Sequence, residues 1–328
     1  MPIDIDKLLA VKTIAAHTYP DRPCPDGVAS ALILRDALPE AEVVFVTHGA
    51  ELDKLSERPN VLYCDIAPAR ECAGAIVLDH HVTSRHLVER YEANGVYSDR
   101  PGVSGAMLAY REVWLPVAYR GPNRPANHVY EGRGDVGALQ LARLAGVRDT
   151  WQRDSPDWEE ACAQAEALAF WPWKKWSEFA FDGNGFTREL EAMLAIGPVL
   201  YEKKMASARK LALEAHRATT EKGTRLAIVP TRETSDVAEF IGDEADVVIG
   251  FSYARPSSAG PVLALSLRSH GGYHVGALCK KLLGGGGHQA AAGAEVQMMW
   301  DSWCPGPYER ILHVFKTWEQ DAQMGSAL

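Results

Sequence analysis

At 328 residues the chain exceeds what one hydrophobic core usually organises, and 47% apolar with 23% charged residues is ordinary globular composition, so two domains are expected. A formal net charge of −9 argues against a broad basic surface for gripping long nucleic acid and favours a small or short substrate. The chain shows no basic segment leading into an apolar signal core, no membrane-length apolar run and no Cys-x-x-Cys pair among its six cysteines, which predicts a reduced, cytoplasmic protein without a structural zinc site or a disulfide framework.

Val11 to Ala16 reads as a first strand, and Gly27 to Leu38 is apolar at helical spacing up to Pro39. Strands follow at Val43 to Val46, Val61 to Tyr63 and Ala75 to Leu78, then helical patterns at Ser84 to Ala93 and Ser104 to Trp114. Strands alternating with helices predict a parallel, Rossmann-like sheet covered on both faces. Residues 119–134 are rich in Pro, Gly and Asn and read as a loop, followed by a helix from Asp135 to Ala145 that leads to Val147–Trp151. Glycines at 183 and 185 break the chain. A long helical pattern from Thr187 to Thr220 then reads as a connector, interrupted or kinked at Gly197-Pro198.

After Gly223 the pattern restarts. Strands are expected at Arg225 to Val229, Asp246 to Tyr253, Val262 to Arg268 and Ala294 to Met298, with helices at Ser235 to Ile241, Val275 to Leu283 and Pro307 to Trp318. The expected architecture is therefore α/β throughout: a first domain over 1–186, a helical linker over 187–222 and a smaller α/β domain over 223–328.

The chemistry collects at strand ends. The apolar run Ala75 to Leu78 stops at Asp79-His80-His81, and a carboxylate followed by two imidazoles is costly to bury unpaired, so it should face a cleft or a metal; a solvated loop is the plain alternative. Asp26 follows the first strand and Asp65 the third. In open parallel sheets, ligands bind beyond the carboxyl ends of the strands. Three separate strand ends thus deliver metal-type ligands to the expected binding edge.

Seven pieces, in order, resemble the DHH phosphoesterase superfamily: Cys24-Pro25-Asp26-Gly27, Asp65, Asp79-His80-His81, Ser104-Gly105-Ala106, Asp149, Ser266-Leu267-Arg268-Ser269, and Gly284 to Gly293 as GGGGHQAAAG. The resemblance implies a two-metal phosphodiesterase or phosphatase, usually with manganese, whose second domain carries the glycine-rich motif. It makes Asp26, Asp65, His80 and Asp149 ligands of one ion, with Asp65 bridging to a second. It places His81 beside the scissile phosphate as a donor, and Asp79 behind an imidazole, fixing it by a hydrogen bond. The first motif departs from the common pattern, in which an aspartate stands two positions before Asp26; here that position is Cys24. His17 and Asp21 are the nearby candidates for the missing ligand. Cys24 can ligate as thiolate, shifting preference to a softer ion, or simply pack. For Asp149 the alternative is an ordinary helix-end carboxylate, and for His17 a satisfied strand-end imidazole. The Cys-Pro-Asp-Gly version resembles one branch of the superfamily, with the nanoRNase and RecJ-like phosphoesterases as its relatives.

The second domain is expected to hold substrate. Consecutive glycines at Gly285, Gly286 and Gly287 let backbone amides approach a phosphate, and His288, Arg268 and Ser266 can add donors. Phe170 to Trp176 interleaves tryptophans with lysines, for base stacking or, more commonly, for packing against a linker. The resulting expectation is a phosphodiester hydrolase, an exonuclease acting on short single-stranded oligonucleotides with two divalent ions, most simply manganese. Hydrolysis of a cyclic dinucleotide or of 3′-phosphoadenosine 5′-phosphate are the near rivals, and a catalytically degenerate nucleotide sensor is the distant one. No membrane partner is expected, and a homodimer is the default assembly.

Overall fold

The computed structural model describes residues 2–20, 22–120, 136–179, 181, 185–256, 260–270, 273–281, 285–287, 289–298 and 306–324. The chain divides into two compact units, Met1–Glu202 and Lys203–Leu328. Among the described residues no helix is long and apolar enough to cross a membrane. The expected loop over 119–134 lies almost wholly outside the described residues, as do Asp21, Gly183, Gly284 and His288.

The first unit is built on five strands: β1 (Thr13–His17), β2 (Glu42–Val46), β3 (Val61–Cys64), β4 (Ile76–Asp79) and β5 (Gly95–Tyr97). Their order is β2-β1-β3-β4-β5, and every neighbouring pair is parallel. A parallel sheet must be covered on both faces, which is why β3 and β4 are wholly buried and apolar as far as Asp79, the last residue of β4. Successive side chains serve opposite faces. Ile14, Leu62 and Leu78 join one core with Val28 and Leu32 of helix α1 (Pro25–Ala37). Ala15, Tyr63 and Val77 join another with Leu52, Leu55 and Val88. The chain runs outward to β2 on one side of β1 and to β3, β4 and β5 on the other, so the carboxyl ends of β1 and β3 form the crevice where such sheets bind ligands.

Helix α2 (Gly105–Ala109) continues through a π-helical turn at Tyr110–Trp114 into Leu115–Arg120. Helix α3 (Val136–Asp149) extends beyond the expected end at Ala145. Helix α4 (Trp158–Phe170) was not legible in the sequence: its buried positions are mostly Ala, Cys and Gln, with no apolar stripe to reveal a period. The pattern at 84–93 forms no continuous helix, because Glu92 adopts φ +48° and breaks it, and the chain turns into β5. The stretch 187–220 is likewise not one helix. It forms Arg188–Leu194, then α5 (Gly197–Leu213), the break falling just before Gly197-Pro198, and then a strand.

That strand, β6 (His216–Thr219), opens the second unit's sheet with β7 (Arg225–Val229), β8 (Val247–Arg255), β9 (Val262–Ser269), β10 (Gly286–Gly287) and β11 (Ala291–Gln297). The order is β10-β11-β9-β8-β7-β6; only β7 and β8 are parallel. Helix α6 (Thr234–Ile241) shares a core with Ala208 and Ala212 of α5. Helices α7 (Val275–Lys281) and α8 (Pro307–Met324) supply Leu278, Ile311 and Phe315 to the second core.

Candidate metal centre

The crevice receives one acidic or imidazole side chain from each strand that borders it. His17 is the last residue of β1, Asp65 follows β3 directly, and Asp79 ends β4 just before His80 and His81. Asp65 adopts φ +63°, a left-handed conformation that few residues with a Cβ tolerate and that asparagine and aspartate adopt more readily than most. Its amide still donates to Leu78 O at 2.9 Å, so the backbone stays tied to β4 while the side chain turns into the crevice. Strain of this kind concentrates at functional sites.

The Asp65 carboxylate, 2% exposed, is shared between two groups of ligands. Its Oδ1 lies 3.2 Å from His80 Nε2, which is also 3.1 Å from Asp149 Oδ2. Its Oδ2 lies 3.3 Å from His17 Nδ1 and accepts from Cys24 Sγ at 3.5 Å. His17 Nδ1 is buried and, despite that short approach, has no hydrogen bond aligned on it. One imidazole nitrogen also cannot satisfy two carboxylate oxygens with one proton, which is the position of His80 Nε2. Both arrangements are awkward as hydrogen bonding and natural as ligands converging on a cation.

Asp26, in the first turn of α1, is buried where the amino end of α2 begins. Its Oδ1 accepts from Ser104 Oγ at 2.7 Å and from the Ala106 amide at 3.1 Å; its Oδ2 accepts from the Gly105 amide at 2.8 Å. Glycine is required at 105, since a Cβ there would fall 2.6 Å from Asp65 Cβ and 2.9 Å from Asp26 Oδ2. Gly27 answers a similar constraint, with a Cβ that would lie 2.0 Å from His17 O, so α1 can lie close against the end of β1. Asp149 ends α3 at the mouth of the cluster, with 29% of its side chain exposed.

Behind these groups, Asp79 is almost wholly committed. Its Oδ1 accepts from His81 Nδ1 at 2.7 Å and from the amides of His80 and His81; its Oδ2 accepts from Ser84 Oγ at 2.6 Å. The His81 ring is thereby held by Nδ1, leaving Nε2 free of that network. Tyr19 stands edge-on to His17 at 5.1 Å, and His48, just past β2, brings another imidazole within 5.9 Å of His17. His48 escaped the sequence reading because a lone histidine past a strand carries no spacing signal. The role of Gly105 escaped it too, since a close approach between distant segments leaves no local trace.

The electrostatics follow from crowding acids in a buried place. Burial, then the charges of Asp65 and Asp149, pushes Asp26 well above the ordinary carboxylate range. Burial and Asp65 also raise Asp149. Burial alone would raise Asp65 as well, but the imidazoles around it hold it below that range. Burial opposes charge on His80, yet the Asp65 hydrogen bond and the charges of Asp26 and Asp149 lift it to about 10. Burial likewise opposes charge on His81, which Asp79 and Asp65 nevertheless raise. Burial, then Asp65 and Asp26, pushes the Cys24 thiol up. The site demands positive charge among its acids, and divalent cations fit that demand.

Among the described residues, ligand atoms within 4.8 Å of one another form three groups: His17, Cys24 and Asp65; Asp26, His80 and Asp149; and Asp65, His80 and His81. The crevice thus brings together Asp26, Asp65, His80, Asp149, His17 and Cys24 from the expected ligand set. In the second unit, Arg268 of β9 is anchored by Nε to Ser235 Oγ at 2.8 Å and by Nη1 to Ser266 Oγ at 3.2 Å and Leu267 O at 2.8 Å. Gly286 pairs with Gly293, which pairs in turn with Ser266, so Ser266 and the glycine turn share one cross-strand row. The tryptophan-lysine segment packs: Trp176 is wholly buried, Trp173 meets Phe45 edge-on at 5.2 Å, and Trp171 Nε1 donates to Met193 O.

No protein-family model matches the sequence, and no curated protein matches it. Solved structures do match. They include an uncharacterized protein from Helicobacter pylori G27, 14% identical over 93% of this chain and 99% of that one, with a TM-score of 0.32. An exopolyphosphatase-related protein from Bacteroides fragilis is 11% identical over 95% of this chain and 93% of that one, with a TM-score of 0.45. The DHH domain of a protein described as a member of the s1p family of ribosomal proteins is 13% identical over 88% of this chain and 83% of that one, with a TM-score of 0.54. The chain is similar in fold to that DHH-domain protein.

Proposed function

We propose that the chain is a metal-dependent phosphoesterase of the DHH superfamily that hydrolyses phosphodiester bonds, acting as an exonuclease on short single-stranded oligonucleotides. One observation carries the reading: Asp65 turns its two carboxylate oxygens to two different groups of ligands. A carboxylate placed this way can bridge two ions. Asp26, Asp65, His80 and Asp149 would hold one, and His17, Cys24 and Asp65 the other. Divalent ions in such sites supply Lewis acidity, drawing electron density from phosphate oxygens and easing loss of a proton from water.

The protein's own groups supply the rest. Asp79 accepts from His81 Nδ1 and, with Asp65, raises the ring's pKa against the opposing effect of burial, which favours the form whose Nε2–H can donate to a phosphate oxygen as charge develops there. Ser104, Gly105 and Ala106 fix the Asp26 carboxylate so that it need not reorganise. In the second unit Arg268 offers a guanidinium whose Nη2 has no hydrogen-bond partner among the described residues, suited to a substrate phosphate. Ser266, the amides of Gly285, Gly286 and Gly287, and His288 complete the substrate contacts in this reading. The net charge of −9 supports a short substrate over a long one.

The test is hydrolysis by purified full-length protein with manganese, assayed on di- to pentanucleotides, a cyclic dinucleotide and 3′-phosphoadenosine 5′-phosphate. Turnover of the oligonucleotides above the other two, abolished in Asp65→Ala, is expected. Preferential turnover of either small substrate would move the specificity while keeping the chemistry. Equal inactivity of wild type and Asp65→Ala on all three, with ligand recovered intact, would establish the sensor reading instead.

A further inference from the structure

The cysteines among the described residues do not share one environment. Cys64, Cys72 and Cys279 belong to apolar clusters, as packing cysteines do. Cys24 is as buried as they are, at 2% exposure, but belongs to none of those clusters. Its sulfur lies 3.5 Å from Asp65 Oδ2, and the ligand atoms of Cys24, His17 and Asp65 all fall within 4.8 Å of one another. His17 contributes a buried Nδ1 with no aligned hydrogen bond, facing the same carboxylate oxygen. Sulfur, nitrogen and oxygen therefore converge from three elements: the end of β1, the residue before α1 and the turn after β3.

The neighbouring group differs in kind. Asp26, His80 and Asp149, with Asp65 Oδ1, offer only nitrogen and oxygen. Thiolate selects softer ions, whereas carboxylate-rich sites suit manganese or magnesium. Resting on the reading of this crevice as a two-cation centre, we infer that its two sites are chemically unequal: Cys24 makes the His17–Cys24–Asp65 site a thiolate site for a softer divalent cation such as zinc or ferrous iron, beside a harder site for manganese. On binding, the Cys24 thiol proton passes to solvent and the sulfur takes its place on the ion, with no change of oxidation state.

Cobalt(II) titration of the full-length protein tests this without recourse to activity. The inference expects a thiolate-to-cobalt charge-transfer band in the near ultraviolet in wild type and in Cys64→Ala. It expects the band to vanish in Cys24→Ser and in Cys24→Asp. In Cys24→Asp both ions should still bind, with zinc-over-manganese preference reduced at least ~10-fold, the lower end of what even outer partners of a metal cost when lost. Cobalt binding to wild type without the band would overturn the inference, as would a band that survives Cys24→Ser; phosphodiester hydrolysis would then persist and leave the proposed function standing. The wild-type spectrum decides even if a variant fails to fold. Absence of any cobalt binding by wild type would remove the inference and the two-cation reading together.

Discussion

His80 Nε2 lies 3.2 Å from Asp65 Oδ1, the oxygen that faces away from His17 and Cys24. The contact joins the turn after β3 to the residue that follows β4, and it makes Asp65 the hinge of the charge arrangement. Asp65→Asn preserves shape and removes the charge that both groups share. Turnover is expected to fall on the order of a hundredfold or more, and ion stoichiometry by calorimetric titration should drop below that of wild type. Wild-type stoichiometry and turnover in the variant would remove Asp65 from its bridging role.

Asp149 is expected to show the stability cost of a functional acid. Its carboxyl is raised, first by burial and then by Asp65, so its negative charge costs the folded metal-free protein stability relative to the unfolded chain. Asp149→Asn should therefore raise the melting temperature of metal-free protein by a few degrees while weakening metal binding. The opposite pair of changes would mean that Asp149 serves structure alone.

The charge on His80 gives a pH dependence whose sign is fixed. Its pKa is raised to about 10 in the folded metal-free state, so its contribution to stability is fully present below the unfolded value near 6.5. That contribution is lost as pH rises from there through about 10. Metal-free wild type should lose stability relative to His80→Gln over this window. A metal needs the neutral ring, so affinity should rise over the same range by about tenfold per pH unit for each proton released. Titration calorimetry in buffers of different ionisation enthalpy counts the protons.

Gly105→Ala probes how tightly the two acids are held. The added Cβ would lie 2.6 Å from Asp65 Cβ, so Asp65, Asp26 or the start of α2 must move. Destabilisation of about 1–3 kcal/mol is expected from the overpacking, with loss of metal affinity beyond what that destabilisation explains. Urea unfolding of metal-free and metal-loaded protein separates the two effects.

Much of the crevice was legible in the sequence because its ligands sit at strand ends, where a run of buried residues stops at a charged one. Asp26, Asp65, Asp79 and His80 could be placed on one edge before any coordinates. What was not legible depends on pairing between distant segments. His216–Thr219 reads as the tail of a helix until β7 offers it an antiparallel partner. The three donors that Asp26 accepts come from residues about eighty positions away. The left-handed turn at Asp65 is held by the hydrogen bond its amide donates to Leu78 O and by its side-chain partners, none of which is local.

Arg268→Ala separates substrate holding from chemistry. The guanidinium is fixed by Ser235, Ser266 and Leu267 of the second unit. KM for oligonucleotides should rise roughly tenfold with kcat much less affected, the signature of lost uniform binding. A fall in kcat at unchanged KM would place Arg268 in the chemical step.

The central claim is that Asp65 lies between two ions. Anomalous diffraction from metal-loaded crystals of the full chain tests it most directly. Two peaks flanking Asp65 are expected, one among Oδ1, His80, Asp26 and Asp149 and one among Oδ2, His17 and Cys24. Saturated crystals with no peak touching Asp65, or with metal bound only elsewhere, would contradict it.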